Sequence, residues 1–192
     1  MIKKELRKIF SEKRRSIDPF IRPELETKLV CNILDYFDLD HKTIHIFLSI
    51  ERHNEINTEA LMNSMNDRFK NITWVIPKTD LKMNTLDHFI LDNKTKIELN
   101  EYGIPEPTQG TEISPIDLDL VFVPLLAADL KGHRVGFGKG YYDRFLAECS
   151  DKCEFIGLSL FEPIDKIDDI DEHDIPLHFI ASPRQILKIE QE

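Results

Sequence analysis

Apolar positions along this chain change their spacing several times, and each change marks an element. Residues 2–16 contain no Pro or Gly and many strong helix formers, which predicts a first helix. Asp18-Pro19 reads as a cap followed by a first-turn proline. Leu25, Leu29, Ile33 and Phe37 then recur every four residues, so a second helix is expected to about residue 37. The β-branched run TIHIFLSI (43–50) predicts a buried strand. Asn57 or Thr58 caps a third helix whose Leu61, Met65 and Phe69 share one face. ITWVIP (72–77) predicts another strand, stopped by its proline. Residues 80–100 alternate weakly, as one or two short strands in a hairpin would.

The second half reads differently. YGIPEPTQGTEISP (102–115), rich in Pro and Gly, predicts a loop. DLVFVP (119–124) predicts an apolar strand, and a glycine-rich stretch follows it. A helix is expected from about 139 to 150, a strand at 154–160, an acidic loop, and a last strand at 177–182. Strands alternating with helices imply an α/β domain with a largely parallel sheet, one domain spanning 1–192.

Composition narrows the class. With 192 residues, 41% hydrophobic and 31% charged, the chain suits an ordinary globular domain. No apolar run approaches the roughly 18 residues of a membrane helix, and MIKKELRKIF has no apolar signal segment, so a cytoplasmic protein is expected. Cys31, Cys149 and Cys153 form no CxxC pair and read as reduced thiols. A net charge of −10 disfavours nucleic acid as a partner. The histidines His41/His45 and His173/His178 lack metal-site spacing.

The candidate chemistry lies in RVGFGKGYYDRF (134–145), which holds three of the chain's seven glycines within five residues. It fits neither GxxxxGK(S/T) nor GxGxxG. It does leave the carboxyl end of a predicted strand and run into a predicted helix. Lys131, Arg134, Lys139 and Arg144 crowd around it, so an anion-binding loop is expected, with backbone N–H groups facing the anion. Asp143 beside bound phosphate suggests Mg²⁺; by pattern alone it reads equally well as a surface carboxylate paired with Lys139 or Arg144. On the first helix Lys3, Arg7 and Arg14 fall within about 40° of one another. By pattern alone, such a stripe reads as a solvated face.

Taken together, DLVFVPLLAADLKGHRVGFGKGYYDRFL resembles the signature of the 5-formyltetrahydrofolate cyclo-ligase family. It is met by Pro124, Asp129, Gly132, Arg134, Gly136, Gly138, Gly140, Tyr141, Tyr142 and Asp143. Lys3-x-x-Leu6-Arg7, IFLSI followed by Glu55 and Thr58, and YGIPEP agree in order, so the resemblance covers nearly the whole chain. It implies a single-domain α/β fold with a mixed, largely parallel sheet flanked by helices in Rossmann-like three-layer form. It implies ATP as co-substrate, Mg²⁺, a folate substrate and a monomer. By resemblance, Lys3, Lys4, Arg7 and residues 134–142 (Arg134, Val135, Gly136, Phe137, Gly138, Lys139, Gly140, Tyr141, Tyr142) bind ATP. Leu48, Glu55, Tyr102, Phe137, Gly138, Lys139, Gly140 and Tyr141 meet the folate. Lys139, Arg134 and Tyr141 carry catalysis, and Asp143 with Asp174 holds the metal. The resemblance overrides the solvated-face reading for Lys3, Lys4 and Arg7 and leaves Arg14 a bystander or helper. Rival readings are an ATP-dependent ligase or kinase acting on another small molecule, and an ATP- or folate-binding regulator without turnover.

Overall fold

The apolar run at 120–124 becomes the middle of a sheet buried on both faces. The computed structural model describes residues 1–190. Among these, the strands are β1 (Thr43–His45), β2 (Thr73–Asp80), β3 (Thr85–Ile90), β4 (Lys96–Leu99), β5 (Pro105–Gln109) and β6 (Thr111–Glu112), then β7 (Leu120–Pro124), β8 (Ala127–Ala128), β9 (Arg134–Val135), β10 (Glu154–Leu158), β11 (Phe179–Ala181) and β12 (Ile186–Lys188). The helices are α1 (Lys3–Arg15), α2 (Arg22–Tyr36), α3 (Thr58–Arg68) and α4 (Tyr141–Ala147). Eight strands form the main sheet in the order β12-β11-β10-β7-β1-β2-β3-β6. The five in the middle, β11 to β2, are parallel; β12, β3 and β6 pair antiparallel at the margins. The sheet is thus mixed and largely parallel, as the alternation of elements predicts.

Alternation of side chains sorts β7 between two layers. Leu120 and Phe122 join the core with Leu29 and Ile33 of α2 and Leu61 and Met65 of α3. Val121 and Val123 join the other core with Phe145 and Leu146 of α4. A strand covered on both faces needs the continuous apolar run seen here. Fully burying each such Leu, Ile or Phe is worth about 1.5–3 kcal/mol. α1 lies elsewhere. Its Leu6 and Phe10 pack on Leu126, Ala127 and Val135 of the small β8–β9 ribbon, beyond the end of β7.

Several elements differ from the sequence expectation for local reasons. The second helix starts at Arg22, with Pro23 in its first turn. Asp18 closes a turn instead, accepting Phe20 N–H at 2.8 Å. Asn57, not Thr58, caps α3 by accepting Ala60 N–H at 2.9 Å. Thr58 Oγ1 is engaged by Ser49, its hydroxyl 2.8 Å away. Only 43–45 of the expected strand ladder with neighbours; after Ile46 the chain turns toward this Ser49–Thr58 contact. Residues 102–115 are not all loop. β5 pairs with β4 in a separate two-stranded sheet, where Pro105 and Pro107 are tolerated because the strand has only one laddered side. β12 returns antiparallel after the turn at Ser182, a pairing the sequence reading missed.

The connectivity places the site. From β1 the chain crosses through α3 to β2 on one side, while β7 leads through α4 to β10 on the other. The order therefore reverses between β1 and β7, and a crevice opens beyond their carboxyl ends, the usual ligand position in such sheets.

Candidate active site

Two features meet beyond the ends of β1 and β7. One is the glycine loop between β9 and α4. The other is a cleft of about 820 Å³ whose walls include Leu48, Ser49, Glu55, Thr58, Met62 and Leu91.

The loop explains its glycines one by one. Gly138 has φ +89°, and a Cβ there would sit 3.2 Å from the Arg7 guanidinium. Gly140 has φ +68°, begins α4, and would press a Cβ to 3.0 Å from Arg144. Both need the left-handed region as well as the room. Gly136 faces open space, with nothing within 4 Å of where a Cβ would be. Arg7 Nε donates to the Gly136 carbonyl at 2.8 Å. Arg144 donates to Lys139 O at 2.9 Å and, through Nε, to Asn84 O at 2.9 Å, tying the loop to the β2–β3 turn. Lys139 is exposed and its ammonium makes no bond among the described residues. Part of the space near the loop backbone is therefore taken by Arg7 and Arg144. The open parts are beside Gly136 and around Lys139.

The cationic stripe on α1 is turned inward, not solvated, and this corrects the reading by pattern alone. Lys3 Nζ donates to Asp174 Oδ2. Arg7 reaches Gly136, and Arg14 Nη1 donates to Leu125 O at 3.4 Å. Lys4, by contrast, is exposed. Arg134 is buried; Nη2 donates to Asp143 Oδ1 at 2.6 Å and Nη1 to Ile175 O. Burial lowers the Arg134 pKa, while Asp143 and Asp174 oppose that shift. Burial alone would raise the Asp174 carboxyl, but the Lys3 ammonium, the Asp171 N–H and Arg134 hold it below its ordinary range.

Asp143 and Asp174 thus stand close to one cation, and they are hard oxygen donors. No group of three or more His, Cys, Asp or Glu suited to a metal exists among the described residues. Two carboxylates with room for phosphate oxygens suit Mg²⁺, which keeps few protein ligands. The donor chemistry fits, with the carboxylates held meanwhile by Arg134 and Lys3.

On the cleft side, Glu55 is buried and its Oε2 accepts Ile50 N–H at 2.9 Å. Burial raises its pKa; the Ile50 N–H and Arg14 work against the rise. Leu48 shares the cleft wall with it. Tyr102 stands apart: it is half-exposed on the turn between β4 and β5, and from that hairpin the cleft takes Ile97 and Pro105 instead. Phe137 joins the two features. Its ring lies 5.1 Å from His53, beside the cleft, and 5.7 Å from the Arg14 guanidinium.

Other assigned residues divide by what their side chains do. Val135 is fully buried in the core under α1, so only its backbone borders the loop. Tyr141 Oη reaches Asn84 Oδ1 at 3.5 Å and its ring carries Arg144 at 5.7 Å. Tyr142 turns under α4 toward Phe145 and His45, where enclosure of its hydroxyl raises the pKa. Asp129 does structural work: it accepts Lys131, His133 and Ile167 N–H groups at 3.0–3.1 Å, closing the β8–β9 turn. The sequence reading missed His53, Arg22 and Asn84. Arg22, which donates to the Glu55 carbonyl and to Glu26 at 2.9 Å, showed only as an i,i+4 charge pair.

An α/β sheet with a cation-ringed glycine loop beside an apolar cleft defines a protein that brings an anionic ligand and a small organic molecule together. The chain belongs to the 5-formyltetrahydrofolate cyclo-ligase family, whose model matches residues 1–183. It is 30% identical over 185 residues to a 5-formyltetrahydrofolate cyclo-ligase of Haemophilus influenzae, covering 92% of each chain. It is 31% identical over 159 residues to one of Mycoplasma genitalium, covering 82% of this chain and 84% of that one. The NMR structure of Aquifex aeolicus 5,10-methenyltetrahydrofolate synthetase superposes with a TM-score of 0.83 at 26% identity, over 100% of this chain and 95% of that one. The 5,10-methenyltetrahydrofolate synthetase of Mycoplasma pneumoniae, at 23% identity and a TM-score of 0.74 over 95% and 99%, shares the fold.

Proposed function

We propose that this chain converts 5-formyltetrahydrofolate to 5,10-methenyltetrahydrofolate with ATP, releasing ADP and phosphate. The observation that carries the reading is the approach at Phe137 of a cyclo-ligase-family glycine loop: its ring lies 5.1 Å from His53, which is flanked in the chain by Glu51 and Asn54 of a cleft large enough for a pterin. A formamide oxygen leaves poorly as hydroxide. Transfer of the γ-phosphoryl group to that oxygen makes phosphate the leaving group. N10 of the folate then attacks the formyl carbon, the C–O bond breaks, and the ring closes. The protein's task is alignment and charge balance, with no covalent nucleophile required.

Each residue follows from its place. The free ammonium of Lys139 neutralises charge growing on the transferred group, with Arg134 and Tyr141 bordering it. Lys3, Lys4 and Arg7 meet the nucleotide from α1, and backbone from Arg134 to Tyr142 lines it. Glu55 accepts pterin N–H groups while Leu48 packs on the ring, and Tyr102, outside the cleft wall on the β4–β5 turn, meets the part of the folate that extends beyond it. Phe137, Gly138, Lys139 and Gly140 border both ligands. Asp143 and Asp174 would hold Mg²⁺, whose charge offsets that of the phosphates. The proposal extends to residues 1–192 acting as one cytoplasmic, monomeric unit independent of nucleic acid. No helix among the described residues is long and apolar enough to cross a membrane.

The test is to mix protein, Mg²⁺, ATP and 5-formyltetrahydrofolate and follow the near-ultraviolet absorbance of the methenyl product. Product should form only when both ligands are present. Phosphate release without product, or no reaction, overturns the proposal.

A further inference from the structure

Arg14 occupies an unusual position for an arginine in the last turn of a helix. A cation there is normally solvated and served by the helix dipole. Arg14 is instead only 8% exposed, and burial lowers its pKa while Glu55 opposes that shift. It sits seven residues after Arg7, so both project from one face of α1. Its guanidinium reaches three parts of the molecule. Nη1 donates to Leu125 O just past β7 at 3.4 Å, Nη2 lies 3.9 Å from Glu55 Oε1, and the group lies 5.7 Å from the Phe137 ring. Its backbone carbonyl accepts Asn54 Nδ2 at 3.5 Å, beside Glu55.

Stability does not account for this placement. Nε is buried without a partner, and the Glu55 contact is too long for a tight pair. Apolar side chains of similar volume often replace such buried pairs without loss of stability. What the guanidinium supplies is a link. Its guanidinium lies against Glu55 in the cleft, Phe137 in the glycine loop and the Leu125 carbonyl just past the central strand. Beside it Arg14, Glu55, Leu125 and Ser159 line a small cavity of about 10 Å³.

We infer that Arg14 is a positioning residue that couples the two halves of the site. This rests on the proposed function. A pterin accepted by Glu55 redirects the Arg14 guanidinium, and through Phe137 this sets the loop that receives the nucleotide. Coupling of this kind is reciprocal: folate tightens nucleotide binding by the factor by which nucleotide tightens folate binding.

The experiment is calorimetric titration of a non-hydrolysable ATP analogue with Mg²⁺, with and without saturating 5-formyltetrahydrofolate, on wild type, Arg14→Met and Arg14→Lys. Wild type should bind the analogue at least about fivefold tighter with folate present, the lower range of such couplings. Arg14→Met should lose that factor and bind folate alone roughly tenfold more weakly, as loss of a charged contact implies. Its affinity for the analogue alone should stay unchanged, and Arg14→Lys should recover part of the folate affinity. If Arg14→Met does not fold, Arg14→Gln, which keeps a donor toward the Leu125 carbonyl, should lose the coupling while binding the analogue alone as the wild type does. An equal coupling factor in wild type and variant overturns the inference while leaving the proposed function standing. A wild type that turns over but shows no coupling does the same. A wild type that binds no folate overturns both.

Discussion

Around the glycine loop, charges are met at close range: Arg134 by Asp143 at 2.6 Å and Lys3 by Asp174. In the cleft, Arg14 and Glu55 stand 3.9 Å apart, and burial pushes each toward its neutral form. The difference suits the ligands proposed for each side. A triphosphate with Mg²⁺ would bring charge of its own, and cations and carboxylates held as pairs could be exchanged for it. A pterin brings hydrogen-bond donors and a flat apolar ring. One carboxylate with lone pairs to spare, set in apolar walls, suits it better than a closed salt bridge.

The contrast can be broken most sharply at Lys139, the one assigned side chain of the loop that is both cationic and free of partners among the described residues. Lys139→Ala should lower kcat by about a hundredfold or more, as removal of a transition-state charge contact does, at an unchanged melting temperature. Steady-state kinetics with thermal denaturation check this, and near-normal kcat would remove Lys139 from catalysis. Asp143→Asn frees Arg134 from its carboxylate and takes away one donor for Mg²⁺. The Mg²⁺ concentration for half-maximal rate should rise about tenfold or more, the roughly 1.5–3 kcal/mol of one charged contact. An unchanged metal titration would make Asp143 a partner of Arg134 alone.

Below the loop a second buried pair sharpens the same lesson. His45 and His88, ring centroids 5.2 Å apart, are buried against Phe145 without hydrogen-bond partners. Burial holds His45 well below its ordinary value and lowers His88 to about 4. Their folded pKa values lie below the unfolded value near 6.5, so the unfolded chain takes up protons first. The stability they contribute is whole above pH 6.5 and is lost as pH falls toward about 4. Melting temperature measured from pH 7 to 5 should decline, and His88→Phe should flatten the decline; an identical slope would exclude this histidine. The smallest expected effect lies at the edge of the cleft, where Asn57 both caps α3 and lines the wall. Asn57→Ala removes the α3 cap and should cost about 1 kcal/mol, a drop of roughly 2–4 °C in Tm. A drop in folate affinity as large as that of a Glu55 substitution would show that Asn57 does more than cap the helix.

Elements with a strong period could be read from the residues alone. α1, α3, β7 and β10 lie close to their expected positions because apolar spacing decides them locally. Residues 105–112 could not, because Pro105 and Pro107 are punctuation by every local rule and pair only because β4 offers an open edge, as β3 does for Thr111 and Glu112. The same divide runs through the site. The glycine loop was visible because its composition is extreme. The inward turn of Arg14 was not, because a helix carries no record of what will cover its face. Glu55, Leu48 and the catalytic role of Lys139 came from the resemblance, and the fold brings Glu55 and Leu48 to one cleft wall.

The contact between Lys3 and Asp174 spans 171 positions of sequence. In a growing chain the first helix therefore exists long before its partners: Leu6 and Phe10 wait for residues 126–135, and Lys3 waits for the acidic loop near the far end. A chain released before residue 126 would thus leave Leu6 and Phe10 without the surface they pack on, and one released before residue 174 would leave Lys3 without its carboxylate.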